Sequence, residues 1–160
     1  MRTFERLTHV DAPFETVWQF HSEPTGLDRL TPDWVGLRFE RALGPEGTTI
    51  EPTLEPGVTL TYSARPLGIG PRSEATATIV DRWREGDRAG FQDELVDGPF
   101  SQWRHSHSFV ATDDGTIVRD RVEFALPGGL VGSALEPLVG LGLAVAFWGR
   151  HRRTKRLLER

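Results

Sequence analysis

The 160-residue chain contains no cysteine. That absence excludes zinc–thiolate sites, iron–sulfur clusters, thiol catalysis and a disulfide framework in one step. Lysine is almost absent too, Lys155 being the one among 19 basic residues. Glycine-rich phosphate loops are missing: Leu67-Gly68-Ile69-Gly70-Pro71 carries a G-x-G with no following helix and no third glycine. No G-x-S-x-G and no H-E-x-x-H occurs, so neither a serine nucleophile elbow nor a zinc-protease helix is in view. The first fifteen residues, MRTFERLTHVDAPFE, place charges where a secretory signal needs an apolar run, so a cytoplasmic location is expected. A net charge of −4 argues against nucleic acid as the main partner.

The length suits a single domain spanning residues 1–160, large enough to form a core without staples. Charge is unevenly spread. Residues 150–160 hold six of the 19 basic residues and one of the 23 acidic ones. Arginines there complement the negative C-terminal end of a helix.

Alternation over 2–10 predicts a first strand. Asp11-Ala12-Pro13 predicts a helix start with Asp11 as the capping acceptor, and Phe14, Val17, Trp18 and His21 follow at helical spacing. Glu23-Pro24-Thr25-Gly26 breaks this helix, and a second short one holds Leu27 and Leu30. Strands are predicted at 35–43, 58–65, 73–83, 88–96, 102–111 and 116–126, separated by Gly, Pro and Asp clusters. Asp114-Gly115 predicts a two-residue hairpin loop. After Pro127-Gly128-Gly129 one long helix runs from about 130 to 158. Its uncharged stretch 137–149 falls short of the ~20 apolar residues of a membrane span, so no integral span is expected. Being apolar nearly all round, the helix is expected to be buried, and Gly140 and Gly142 are read as allowing close packing. Strands first and a long helix last make an α+β domain.

The chemistry gathers in one hairpin. Side chains two apart share a strand face, so Trp103, His105, His107 and Phe109 point one way. With Asp114-Gly115 as the loop, Phe109 faces Asp120, His107 faces Val122 and His105 faces Phe124. A slip of two residues would leave the faces unchanged. Two imidazoles and the Asp120 carboxylate thus share an otherwise apolar wall. Three readings stay open. A His–Asp bond satisfies buried groups and fixes the hairpin; the same groups line a pocket and orient a ligand or move a proton; or they bind a metal, for which H-x-H without a third histidine is a weak signal. Tyr62, the one tyrosine, is a further candidate for the pocket. His9 and His21 stand alone, and Trp18 and Trp34 are read as core.

The element order resembles the helix-grip fold of the START, polyketide-cyclase and plant-allergen superfamily, often called SRPBCC. Val10-Asp11-Ala12-Pro13 with Val17-Trp18 resembles its lead into the first helix. Asp93-Glu94, Gly98-Pro99-Phe100, Trp103, His105, His107 and Phe109, with Asp120 through Pro127, resemble a bacterial and archaeal ligand-binding or cyclase-like subgroup. The resemblance implies a curved antiparallel sheet of about seven strands wrapped around the last helix, two short helices after the first strand, and a hydrophobic tunnel between sheet and helix. A small hydrophobic ligand such as a lipid, polyketide or isoprenoid is the expected partner, bound by Trp103, His105, His107, Phe109, Asp120 and Tyr62, with no cofactor. The alternatives are a polyketide cyclase or dehydratase using a pocket histidine, and an interaction or membrane-fringe protein using the apolar helix, by which a homodimer would also form.

Overall fold

The computed structural model describes residues 1–23 and 25–159; Pro24, expected as a helix breaker, Arg160 and the side chains of Thr25, Leu27 and Asp28 lie outside the described residues. Strand β1 (Arg2–Val10) leads into helix α1 (Phe14–His21) and helix α2 (Thr25–Leu30). Six strands follow: β2 (Arg38–Leu43), β3 (Thr59–Ala64), β4 (Ser73–Glu85), β5 (Arg88–Asp97), β6 (Gln102–Thr112) and β7 (Gly115–Ala125). Helix α3 (Gly129–Leu158) closes the chain. All seven strands form one antiparallel sheet in the order β1-β7-β6-β5-β4-β3-β2. Strands β2 to β7 each pair with the next, and every link after β3 is too short for a parallel crossover. The first strand closes on the last.

Three local expectations change. Val35, expected to open β2, instead ends a 3-10 turn (Asp33–Val35), and β2 begins at Arg38, because Gly36 adopts a left-handed conformation (φ 61°) that ends the turn. A side chain at Gly36 would meet the Arg65 carbonyl oxygen at 2.6 Å. Asp11 does not cap α1: Pro13 occupies the capping position, and the Asp11 N–H donates to Glu159 Oε1 at 3.0 Å. The β6–β7 loop is Asp113-Asp114, with Thr112 opposite Gly115, so the register slips by two from the expected one. Gly115 serves a different purpose, since a side chain there would collide with the Val10 carbonyl of β1.

The long helix also departs from expectation. It packs against β1, β7 and α2 through Gly132, Glu136, Phe147, Arg150, His151 and Thr154. Its opposite face is open to solvent: Leu130, Val131, Leu135, Leu138, Leu141, Val145, Trp148 and Leu157 are all exposed. By length and composition alone α3 could cross a membrane, yet its covered face carries Glu136, Arg150, His151 and Thr154 beside Phe147. Trp34 is likewise a surface residue, 39% exposed, whereas Trp18 is core. Close approach along α3 occurs not at Gly142, where nothing lies within 4 Å of an added Cβ, but at Gly149, which faces Pro32, and at Gly132, which sits against the Pro127 carbonyl.

These two kinds of glycine give substitutions of opposite sign. Gly132→Ala forces backbone apart and should cost about 1–3 kcal/mol. Gly142→Ala meets open space and should stabilise by up to about 1 kcal/mol through helix propensity. Urea denaturation of both variants measures the pair, and equal effects would contradict the packing described.

Candidate functional site

Cross-strand pairing builds the site. On β6, His105 lies opposite Asp93 of β5 and His107 lies opposite Phe91. On the other side, His107 lies opposite Asp120 of β7 and His105 opposite Val122. One carboxylate therefore flanks the histidine pair on each side. The Asp120 Oδ1 atom receives hydrogen bonds from His105 Nε2 at 2.9 Å and His107 Nδ1 at 2.8 Å. A third imidazole arrives from α3, where His151 Nε2 donates to Asp120 Oδ2 at 2.6 Å. The Asp93 carboxylate stands off, its Oδ2 being 3.8 Å from His105 Nδ1 and 3.7 Å from His107 Nε2.

Asp120 is 1% exposed. Burial alone would raise its pKa, but the Arg150 guanidinium, His107 and the imidazole hydrogen bonds outweigh this and hold it well below the usual carboxylate range. An ionised carboxylate only accepts, so every imidazole touching Asp120 donates to it. Burial works against charge on His107, yet Asp120 overrides that and raises its pKa. His105 moves down, through burial first and then the neighbouring His107. The two rings lie 3.8 Å apart between centroids. Phe91 stacks on His107 at 4.1 Å, and Phe147 of α3 meets His105 edge-on at 5.2 Å, so neither ring is free to turn.

Above this cluster lies a cavity of about 310 Å³. Leu30, Val35, Leu54, Leu60, Ile79 and Phe91 supply its apolar wall, and the turn at Pro32 forms one side. Its polar lining includes His21, Asp93, His105, His107 and Arg150. Arg150 is buried, and its Nε has no hydrogen-bond partner among the described residues. The volume falls at the lower end of what small-molecule pockets occupy.

Residues 10–142 match the family described as polyketide cyclase/dehydrase and lipid transport. The chain belongs to that family. No curated protein sequence matches it. Among solved structures, CV1439 from Chromobacterium violaceum is similar at 13% identity and a TM-score of 0.69, covering 100% of this chain and 99% of that one. Ms6760 from Mycobacterium smegmatis is 19% identical with a TM-score of 0.66, covering 98% of this chain and 90% of that one. Norcoclaurine synthase from Thalictrum flavum, solved with dopamine and hydroxybenzaldehyde, is 18% identical with a TM-score of 0.65, covering 99% of this chain and 87% of that one. At such identities these likenesses carry the fold, here the open seven-stranded sheet with its long last helix.

Of the residues singled out in the sequence, Trp103, His105, His107 and Tyr62 line the cavity. Asp120 lies beneath the histidines and does not reach it. Phe109 is fully buried in the core, packed on Trp18 at 5.6 Å and His21 at 4.8 Å. The structure adds Asp93, Arg150, His151 and His21. His21, a lone histidine in the sequence, faces the cavity, and its Nδ1 donates to the Val17 carbonyl at 2.8 Å. The third histidine that H-x-H lacked comes from the basic tail. Asp93 and His21 carry readable signals: Asp93 alternates with Phe91 on β5 and falls opposite His105, and His21 shares the apolar face of α1 with Phe14, Val17 and Trp18.

Burial first, then the Arg150 charge, push the His21 pKa down to about 3. An unfolded histidine titrates near 6.5, so below that pH the unfolded chain binds a proton that the folded chain refuses. Stability therefore falls as pH drops from about 6.5 toward 3, by up to about 1.4 kcal/mol per pH unit from His21 alone. The lowered His105 acts in the same direction. The raised pKa of His107 has the opposite sign: its contribution is complete below about 6.5 and fades as pH rises through the folded value. Urea denaturation between pH 6.5 and 4.5 should show the decline, and His21→Gln should flatten it by about one proton's worth. A slope untouched by this change would count against the buried neutral ring.

Proposed function

We propose that the protein binds a small hydrophobic molecule of the lipid, polyketide or isoprenoid kind in the cavity between the sheet and α3. The cavity itself carries the reading. It is lined mainly by aliphatic and aromatic side chains with a smaller number of polar groups, Asp93, His105, His107 and Arg150 among them, the pattern of a site that takes an apolar body and orients it by a few polar contacts. In this reading Trp103, Tyr62 and Phe91 contact the apolar body. His105 and His107 meet a carbonyl or hydroxyl, while Asp120 acts from below by fixing their orientation. The family's description, which names both polyketide chemistry and lipid transport, agrees with such a ligand.

Native mass spectrometry of protein purified from its own host should reveal a retained small molecule. The His105→Ala/His107→Ala double variant should lose at least tenfold in affinity for a fluorescent fatty-acid probe, and more than its thermal stability predicts. Matching losses of binding and fold would leave these histidines a structural role only.

A second reading rests on the exposed side of α3. Val131, Ala134, Leu138, Leu141, Val145 and Trp148 follow one another at alternating three- and four-residue steps, so they form a single stripe along the helix. Its C-terminal end carries Arg152, stacked over Trp148 at 4.8 Å, followed by Lys155 and Arg156. An apolar stripe with aromatic and basic residues at one end matches an anionic lipid surface. A partner copy would have to face this cationic end with no acidic residue at the N-terminal end of the stripe. On this reading the protein sediments with vesicles containing anionic lipid at low salt, and less at high salt. Leu138→Glu/Leu141→Glu abolishes it. Failure to sediment at either salt, or a stable dimer that hides the stripe, removes the idea.

A further inference from the structure

Asp120 does more than hold two rings in place. A neutral imidazole has one N–H, and His105 and His107 both spend theirs on Asp120. In the neutral form each keeps a lone pair on its other nitrogen, the form a metal ion selects by displacing any second proton. Those nitrogens, His105 Nδ1 and His107 Nε2, converge on one oxygen of Asp93 at 3.8 and 3.7 Å. Both distances are too long for hydrogen bonds. The three atoms all lie within 4.8 Å of one another, and all three residues line the cavity.

Two neutral imidazole nitrogens and a carboxylate oxygen, with the remaining side open, form a donor set suited to first-row transition metals. We propose that Asp93, His105 and His107 bind one divalent ion of the Zn²⁺ or Fe²⁺ class at the cavity wall. Metal bonds of about 2.0–2.1 Å put tetrahedral donors roughly 3.3 Å apart, so the two contacts to Asp93 need close by only about half an ångström, and the two imidazole nitrogens by up to about 1.5 Å. Asp120 fills the part of the outer carboxylate that orients ligating histidines and makes them better donors. Phe91 and Phe147 hold the two rings in the converging pose. The charged groups around the site are two carboxylates, Asp93 and Asp120, against one guanidinium, Arg150, while His21 and His151 contribute further imidazoles. With neutral histidines this leaves a net negative charge for a cation to meet. The open coordination positions face the cavity, where an oxygen of a bound molecule can complete the shell.

The site does not depend on the identity of any organic ligand, and its test uses none. The full chain, stripped with a strong chelator, is titrated with Co²⁺ followed by visible absorption and with Zn²⁺ in competition, and uptake is counted by elemental analysis. One ion per chain is expected, with ligand-field bands of a low-coordinate nitrogen–oxygen site. Asp93→Asn, which leaves the hydrogen bonds to Asp120 intact, should weaken binding at least tenfold, and Asp120→Asn about 10–100-fold. His9→Ala should change nothing, although His9 Nε2 sits 3.0 Å from Asp114 on the surface. Absence of stoichiometric uptake by the folded wild type overturns the proposal. So does unchanged affinity in folded Asp93→Asn, or loss of binding in His9→Ala.

Discussion

A carboxylate buried to 1% exposure with three imidazoles donating to it is the joint on which this molecule turns. Stripping an ion of water costs several kcal/mol even after relaxation, so Asp120 is tolerable only because every approach to it is filled by a donor or a positive charge. Two of the donors come from the neighbouring strand and one from the far end of the chain. His151 thereby pins α3 to the sheet at a single rotational setting.

That setting is not one the hydrophobic effect alone would choose. Helix α3 is apolar nearly all round, and apolar burial is non-directional. Leucine-rich and valine-rich positions outnumber polar ones on the helix, yet the face turned inward carries Glu136, Arg150, His151 and Thr154. Glu136 accepts from the Leu126 backbone N–H at 3.3 Å and pairs with Arg2 at 3.5 Å, securing the first half of the helix as His151 secures the second. Polar contacts fix which face goes in, Phe147, Val139 and Leu143 pack beside them, and the other large apolar side chains of the helix are left outside. The same contacts keep the core in two parts. Phe91, Phe109, Trp18 and Val10 cluster at one end, and Phe124, Phe147 and Val122 cluster at the other, with the imidazole–carboxylate group between them and the cavity opening above.

The strands were readable because Gly, Pro and Asp punctuate them, and short links leave antiparallel neighbours little choice of partner. The register of the last hairpin was not readable from Asp114-Gly115. That glycine looks like a turn residue, but it is small so that β1 can pass close by, a long-range reason invisible in a local pattern. The face assignment survived since a two-residue slip preserves the pleat. Arg150 and His151 stayed hidden for a different reason. Within RHRRTKR they look like charges soothing a helix end, and nothing local separates two buried members from their solvated neighbours. Gly132 and Gly149, which matter for packing, were passed over in favour of Gly140 and Gly142 because only the tertiary contacts tell them apart.

A histidine bonded to a buried aspartate is often read as either structural or functional. Here the two nitrogens of each ring divide the work. His105 Nε2 and His107 Nδ1 satisfy Asp120, and removing either leaves a buried charge short of a donor. His105 Nδ1 and His107 Nε2 look toward Asp93 and the cavity, where no bond of ordinary length holds them. The structural half makes the functional half possible, because an imidazole that can neither flip nor rotate presents one defined atom to whatever enters. Asp93 belongs to the second half alone: it lies outside the Asp120 hydrogen bonds and is the less buried carboxylate of the two. The fold can therefore keep its joint while the chemistry at the cavity wall changes, and Asp93 is the residue at which the two separate.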